Sequence, residues 1–138
     1  MLVAYLMLKR FKIEALFFVI VMSLSSILNP LLKNIFDRER PTLLRLIDIS
    51  GFSFPSGHAM GSTSFFGSAM FIANRKASGN NKGIIIGLCA LFILLISISR
   101  VYLGVHYPTD VIAGIIGGAF CIVLSTLILK NHLYPTAT

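Results

Sequence analysis

Residues 83–110 decide the fold, and they read GIIIGLCALFILLISISRVYLGVHYPTD. The first part, 83–99, contains no Asp, Glu, Lys or Arg, and its length approaches the roughly 20 residues that a helix needs to cross a bilayer. The second part, 99–110, is short and polar, and another apolar run follows it directly. This alternation predicts helices that cross a membrane and carry functional side chains in the segments between them.

The composition supports a membrane protein. Of the 138 residues, 56% are hydrophobic and 12% are charged, whereas a soluble domain has about 25% charged residues. The mean hydropathy is +0.86. Four runs lack charged residues: 15–32, 59–74, 83–99 and 111–129. We therefore predict an all-α integral membrane bundle of about four transmembrane helices, forming a single domain over 1–138.

The apolar residues before Lys9 predict a short N-terminal stub. Because basic residues follow this stretch instead of preceding it, a cleavable signal peptide is not expected. The stretch resembles the end of a preceding span. We therefore expect either a chain that lacks N-terminal helices or a minimal core.

The distribution of charge predicts the orientation of the bundle. A net charge of +7 would favour a nucleic-acid partner in a soluble protein, but here most cations lie at one end of the predicted spans. The cations at this end are Lys9, Arg10, Lys12, Arg75, Lys76, Lys82 and Lys130, and the acid near them is Glu14. The other end carries Lys33, Arg38, Arg40, Arg45 and Arg100 with Asp37, Glu39, Asp48 and Asp110. By the positive-inside rule, this second end faces the extracytoplasmic side, and we expect no nucleic-acid partner.

The polar segment 99–110 pairs a histidine with a carboxylate. If Pro108 opens the next helix, Asp110 falls in its first turn and can reach one nitrogen of His106. A carboxylate behind a histidine is the pattern that activates a nucleophile. The alternative is an ion pair of Arg100 with Asp110 at the membrane surface, beside a solvated histidine.

The segment 33–41, KNIFDRERP, follows the first span. If the helix continues to Pro41, Lys33 and Arg40 share one face and can converge on one anion, while Arg38 and Glu39 point into solvent. Basic residues at a helix end are common, so this signal is weak alone. We interpret residues 42–54 as a loop on the outer surface.

The segment 54–58, FPSGH, opens the second span. Ser56 is a natural N-cap, and Gly57 permits a close backbone approach. The free amides of a helix N-terminus bind anions, and His58 in the first turn could give or take a proton there. The alternative is a capped helix with an incidental interfacial histidine.

Together the spacings K-x6-RP, PSGH and SR-x5-H-x3-D resemble the three signature motifs of the type 2 phosphatidic acid phosphatase family. These membrane lipid phosphatases are related to bacterial acid phosphatases and vanadium haloperoxidases. The resemblance implies that His106 attacks phosphorus, that Asp110 orients it, and that His58 protonates the leaving group. It implies a phosphate site made by Lys33, Arg40, Ser56, Gly57 and Arg100, with no metal or other cofactor.

We therefore expect hydrolysis of a lipid phosphate or pyrophosphate through a phosphohistidine in a bacterial cell membrane. The candidate substrates are undecaprenyl pyrophosphate and phosphatidylglycerophosphate, with phosphatidic acid or a broad range of lipids as alternatives. A haloperoxidase holding vanadate and a non-catalytic lipid-phosphate-binding protein are the rival functions. We expect no obligate protein partner. Membrane members of the family usually have six spans, so this chain is shorter than the pattern.

Overall fold

A computed structural model describes residues 2–42, 46–47 and 49–134 of the chain. The regular structure in these ranges is helical, which confirms the prediction of an all-α fold. The helices are α1 Leu2–Leu8, α2 Lys12–Phe36, α3 Gly57–Lys76, α4 Gly79–Tyr102, α5 Pro108–Ile128 and α6 Lys130–Leu133. Each of the four long helices overlaps one of the four uncharged runs, and the ends of helix and run differ by one to four residues.

Three of the described helices, α2, α4 and α5, are long and apolar enough to cross a membrane. The remaining long helix, α3, has 20 residues and packs against all three of them. Its buried residues include Ser62, Thr63, Ser64 and Ser68, because a helix enclosed by neighbours benefits from small side chains more than from apolar bulk. Large apolar side chains such as Leu94 instead lie exposed on the outer helices, where lipid would cover them.

The contacts at the two ends of α3 fix the directions of the helices. At its start, the Ser56 N–H donates to the Asp110 carbonyl at 2.9 Å. At its end, Arg75 Nη2 donates to the Leu133 carbonyl at 2.6 Å, so α3 and α5 run parallel. Arg75 Nε also lies 3.7 Å from Glu14 near the start of α2, so α2 runs the opposite way. The end of α2 therefore meets the starts of α3 and α5 at one end of the bundle.

Two glycines of α5 allow this close pairing with α3. A Cβ at Gly114 would lie 2.6 Å from the Ser56 carbonyl oxygen, and one at Gly118 would lie 2.7 Å from that of Met60. Both distances are far inside van der Waals contact, so a side chain at either position would push the helices apart. The two glycines thereby bring Ser56 against Asp110.

The expected continuation of α2 to Pro41 is wrong. The helix ends at Phe36, where Asp37 takes a left-handed conformation with φ of 44° and turns the chain. The next residues then pair with the loop before α3, where the Ser53 N–H donates to the Arg38 carbonyl at 2.7 Å. The loop therefore packs beside the segment after α2 at the end of the bundle where α3 and α5 begin.

Candidate active site

His106 lies between α4 and α5 with only 5% of its surface exposed. Its Nε2 is 3.3 Å from Arg40 Nη1, and its Nδ1 is 3.4 Å from Ser53 Oγ. The distance from Nδ1 to Asp110 Oδ2 is 3.6 Å, which is too long for a hydrogen bond. The imidazole therefore contacts a cation on one side and a hydroxyl on the other.

Asp110 is fully buried in the first turn of α5, which begins at Pro108 as predicted. Its Oδ2 accepts hydrogen bonds from the Tyr107 N–H at 2.9 Å and from Ser53 Oγ. Its Oδ1 accepts from Arg38 Nη1 at 2.8 Å. Because three donors surround it, the carboxylate can keep its negative charge away from water.

Arg38 was expected to point into solvent, and this interpretation is wrong. Besides its ion pair with Asp110, Arg38 donates to Thr109 Oγ1 at 2.8 Å, and its guanidinium lies 4.2 Å from the ring centroid of Tyr107. The turn at Asp37 redirects the side chain, so the helical spacing used for the prediction does not apply. Arg38 thus joins the segment after α2 to the start of α5.

Lys33 and Arg40 converge on one acceptor, although they do not share a helix face. Lys33 Nζ donates to the Phe52 carbonyl at 2.5 Å, and Arg40 Nη2 donates to the same oxygen at 3.2 Å. Arg40 Nε also donates to the Gly51 carbonyl at 2.9 Å, and Arg40 Nη1 donates to the Val105 carbonyl at 3.0 Å. The two cations therefore meet because the loop before α3 folds between them.

At the start of α3, Ser56 is the N-cap, as predicted. It is fully buried, and its Oγ accepts from the Ala59 N–H at 3.4 Å. Gly57 packs against the side chain of Asn29. A Cβ at position 57 would lie only 3.0 Å from the Asn29 side-chain oxygen. His58 follows in the first turn and is exposed, so it can meet a ligand that enters at this end.

Arg100 lies in the last turn of α4, where its Nε and Nη2 each lie 3.1 Å from Ser99 Oγ. The positive charge of Arg100 acts on His58, which lies just before the predicted span 59–74. Partial desolvation of the ring, followed by the charges of Arg100, Arg40 and Lys33, lowers the pKa of His58. Three cations from different segments therefore act on this one histidine.

The same field acts on His106. Burial, followed by the charges of Arg40 and Lys33, lowers the pKa of His106 to about 4, and Asp110 acts in the opposite direction. At neutral pH the ring is therefore uncharged and has a lone pair available for attack. Within the described ranges, no group of three His, Cys, Asp or Glu residues could hold a metal ion.

Sequence reasoning missed two residues of this cluster, Arg38 and Ser53. Ser53 belongs to the segment 42–54, which was interpreted as a surface loop, yet it is fully buried against Asp110. Its only signal in the sequence is its position three residues before Ser56. Arg45 and Asp48, which the charge analysis counted, lie outside the described residues.

Comparisons with known proteins support a relationship over most of the chain. The profile of the PAP2 superfamily matches residues 14–134. Phosphatidylglycerophosphatase B of Bacillus subtilis is 33% identical over 103 residues, which are 73% of this chain and 51% of that protein. Lipid A 1-phosphatase of Rhizobium johnstonii is 32% identical over 126 residues, which are 84% of this chain and 47% of that protein.

The fold is also similar to a solved one. The crystal structure of the first transmembrane PAP2 type phosphatidylglycerolphosphate phosphatase, from Bacillus subtilis, aligns with a TM-score of 0.79 and 28% identity. The alignment covers 90% of this chain and 62% of that one. The chain spans about half the length of the curated relatives it matches. Since the family profile covers most of its residues, the chain belongs to the PAP2 superfamily.

Proposed function

We propose that this protein hydrolyses a phosphate or pyrophosphate monoester of a membrane lipid through a phosphohistidine on His106, without a divalent metal. The observation that carries the proposal is the contact of His106 Nε2 with Arg40 Nη1 at 3.3 Å. It puts an uncharged nucleophile beside the two cations that converge on the Phe52 carbonyl. Such a site suits an electrophile that is itself an anion.

Phosphate binding would use donors that now serve a neutral carbonyl. Lys33 and Arg40 both donate to Phe52, and a charged phosphate oxygen is a stronger acceptor than a peptide oxygen. Arg100 and the amides at the start of α3 would complete the site. Fixed cations and amides can neutralise the equatorial oxygens of the transferring group.

In the first step, Nε2 of His106 forms a bond to phosphorus as the bond from phosphorus to the lipid oxygen breaks. His58 gives its proton to that oxygen. The ring of His106 becomes a phosphorylated imidazolium, and Asp110 balances its charge. In the second step, water loses a proton to His58 and attacks phosphorus, the nitrogen–phosphorus bond breaks, and inorganic phosphate leaves.

Substrate binding would itself prepare His58 for its role as an acid. The charges of Arg100, Arg40 and Lys33 lower the pKa of His58 in the free protein. A bound phosphate dianion offsets these charges and so raises the pKa of His58. The histidine therefore gains its proton when the group that needs it arrives.

A groove beside His58 supports a lipid substrate. It has a volume of about 480 Å³, runs between α3 and α4, and is lined by Gly61, Ser62, Phe66 and Ile96 in addition to Gly57 and His58. Its mostly apolar walls suit a hydrocarbon chain whose phosphate lies at the proposed acid. The groove therefore favours an amphiphilic substrate over a soluble phosphoester.

The name of the Bacillus relative favours phosphatidylglycerophosphate as the first substrate to test, and undecaprenyl pyrophosphate is the second. The catalytic end would face the extracytoplasmic side, because the cations are concentrated at the other end.

The test is phosphate release by the purified protein in detergent with excess chelator. The substrates are phosphatidylglycerophosphate, undecaprenyl pyrophosphate and phosphatidic acid. His106→Ala is the variant, and His132→Ala, at an exposed position of α6 at the opposite end, is the matched control. We expect release that survives chelation, is lost in His106→Ala and persists in His132→Ala.

Release that disappears with chelator, or that persists in His106→Ala, contradicts the proposal. Lipid binding without release would favour a non-catalytic binding protein.

A further inference from the structure

We propose that Ser53 is a positioning residue that links Asp110 to His106 and holds the imidazole with its proton on Nδ1 and its lone pair on Nε2. The inference rests on the proposed function, in which Nε2 is the nucleophile. It adds a role for a residue of the loop before α3, outside the three motifs.

Ser53 lies between Asp110 and Nδ1 of His106 and contacts both. The direct distance from Nδ1 to Oδ2 is 3.6 Å, beyond the range of a hydrogen bond. Ser53 Oγ lies 3.4 Å from Nδ1 and donates to Oδ2. Because Ser53 is fully buried and His106 is almost so, bulk water does not compete for these contacts.

The chemistry of the two ends fixes the direction of every proton in this chain. An ionised carboxylate only accepts hydrogen bonds, so the single proton of Ser53 goes to Asp110. The hydroxyl oxygen is then free to accept, and His106 Nδ1 supplies the proton. At the far end, Arg40 only donates, so Nε2 must accept. The opposite tautomer would set an Nε2 proton against Arg40 Nη1, with two donors facing each other.

Ser53 is held in place by the segment that would bind phosphate. Its N–H donates to the Arg38 carbonyl at 2.7 Å, and the carbonyl of the preceding residue, Phe52, accepts from Lys33 and Arg40. The position of the hydroxyl therefore depends on the same loop that gathers the cations. In this way the loop connects the anion site to the orientation of the nucleophile.

The link would matter most once Nε2 has bonded to phosphorus. The ring is then an imidazolium, its proton remains on Nδ1, and the Ser53 hydroxyl connects that proton to the Asp110 charge. Without the hydroxyl, the neutral ring loses one of the two contacts that fix its tautomer, and the positive charge of the phosphorylated ring loses its link to Asp110. We expect Ser53→Ala to lower kcat roughly 10- to 100-fold, with KM changed less than about threefold, because the lost contact acts on the reacting ring and not on the bound lipid.

The experiment compares Ser53→Ala and Ser53→Thr with the wild type and with Ser64→Ala. Ser64 is a fully buried serine inside α3, so its variant removes the same atom away from the site. Kinetics on a lipid phosphate are measured together with the 15N shifts of the imidazoles, which are simple to assign because the chain has 3 histidines. The shifts report the tautomer of His106 directly, and thermal unfolding checks that each variant is folded.

We expect the wild type and Ser64→Ala to carry the proton on Nδ1 and Ser53→Ala to shift toward a mixture of tautomers. Ser53→Thr, which keeps a hydroxyl, should restore the wild-type tautomer and part of kcat. An unchanged tautomer in Ser53→Ala, or a loss of kcat no larger than that of Ser64→Ala, would overturn the inference. If the wild type releases no phosphate, the proposed function fails, while the tautomer measurement still decides the role of Ser53.

Discussion

Arg38 Nη1 lies 2.8 Å from Asp110 Oδ1, although the two residues are 72 positions apart in the sequence. Asp110 is fully buried at this contact, whereas the side chain of Arg38 keeps 39% of its surface exposed. The pair fastens the segment after α2 to the first turn of α5. It also occupies the oxygen of Asp110 that does not face His106, and so helps to fix the carboxylate.

Arg38→Gln should therefore lower both stability and activity. Removal of one partner leaves a buried carboxylate with one donor fewer, but the exposure of Arg38 weakens the effect, so we expect a loss of about 1–2 kcal/mol in unfolding free energy. Since Asp110 becomes less firmly held, kcat should fall about tenfold. Thermal unfolding and kinetics on a lipid phosphate measure the two effects. Glu39→Gln removes a charge from the adjacent exposed residue and should change neither; equal effects in the two variants would exclude a specific role for the pair.

The helices themselves were predictable, because each uncharged run approaches the length that a bilayer requires. The starts of two helices were equally readable from local chemistry. Ser56 caps α3 and Pro108 opens α5, since a hydroxyl acceptor and a fixed proline φ act within a few residues of their position. Local signals of this kind do not depend on how the helices pack.

The connections at the site were not predictable in the same way. The left-handed turn at Asp37 carries no strong sequence signal, yet it redirects the chain before Arg38, which pairs with Asp110. The burial of Ser53 depends on partners far along the chain, which helical spacing cannot reveal. Lys33 and Arg40 were predicted to converge because they would share a helix face. They do converge, but because both donate to the Phe52 carbonyl of the loop before α3.

Lys33→Gln should weaken the binding of vanadate, a phosphate analogue. The ammonium that donates to the Phe52 carbonyl is available to an anion there, and its removal takes away one charge-assisted hydrogen bond of about 1.5–3 kcal/mol. We expect the vanadate concentration for half inhibition to rise at least tenfold. Lys130→Gln, at an exposed lysine of the opposite end, is the control and should leave inhibition unchanged. Unchanged inhibition in Lys33→Gln would remove Lys33 from the anion site.

The same substitution should change the titration of His106. Burial and the charges of Arg40 and Lys33 lower the pKa of His106 to about 4, from an ordinary value of 6.5. Loss of the Lys33 charge favours the protonated ring, so the pKa of His106 rises. As the pH falls, the ring then becomes protonated at a higher pH than in the wild type. NMR titration of the His106 imidazole should show an upward shift in Lys33→Gln and none in Lys130→Gln. A downward or absent shift in Lys33→Gln would mean that the cation does not act on this ring.

Gly114→Ala should separate α3 from α5 and so disturb the site from outside it. A Cβ there would lie 2.6 Å from the Ser56 carbonyl oxygen, a backbone atom that cannot yield without moving the start of α3. We expect a loss of about 1–3 kcal/mol in unfolding free energy and a large loss of kcat, because the hydrogen bond from Ser56 to Asp110 is strained. Gly87→Ala on α4 is the matched control, since a Cβ placed at Gly87 would have no neighbouring atom within 4 Å. This substitution should leave the unfolding free energy unchanged or raise it by up to about 1 kcal/mol. If Gly114→Ala unfolds and turns over like Gly87→Ala, the close approach of the two helices does not set the geometry of the site.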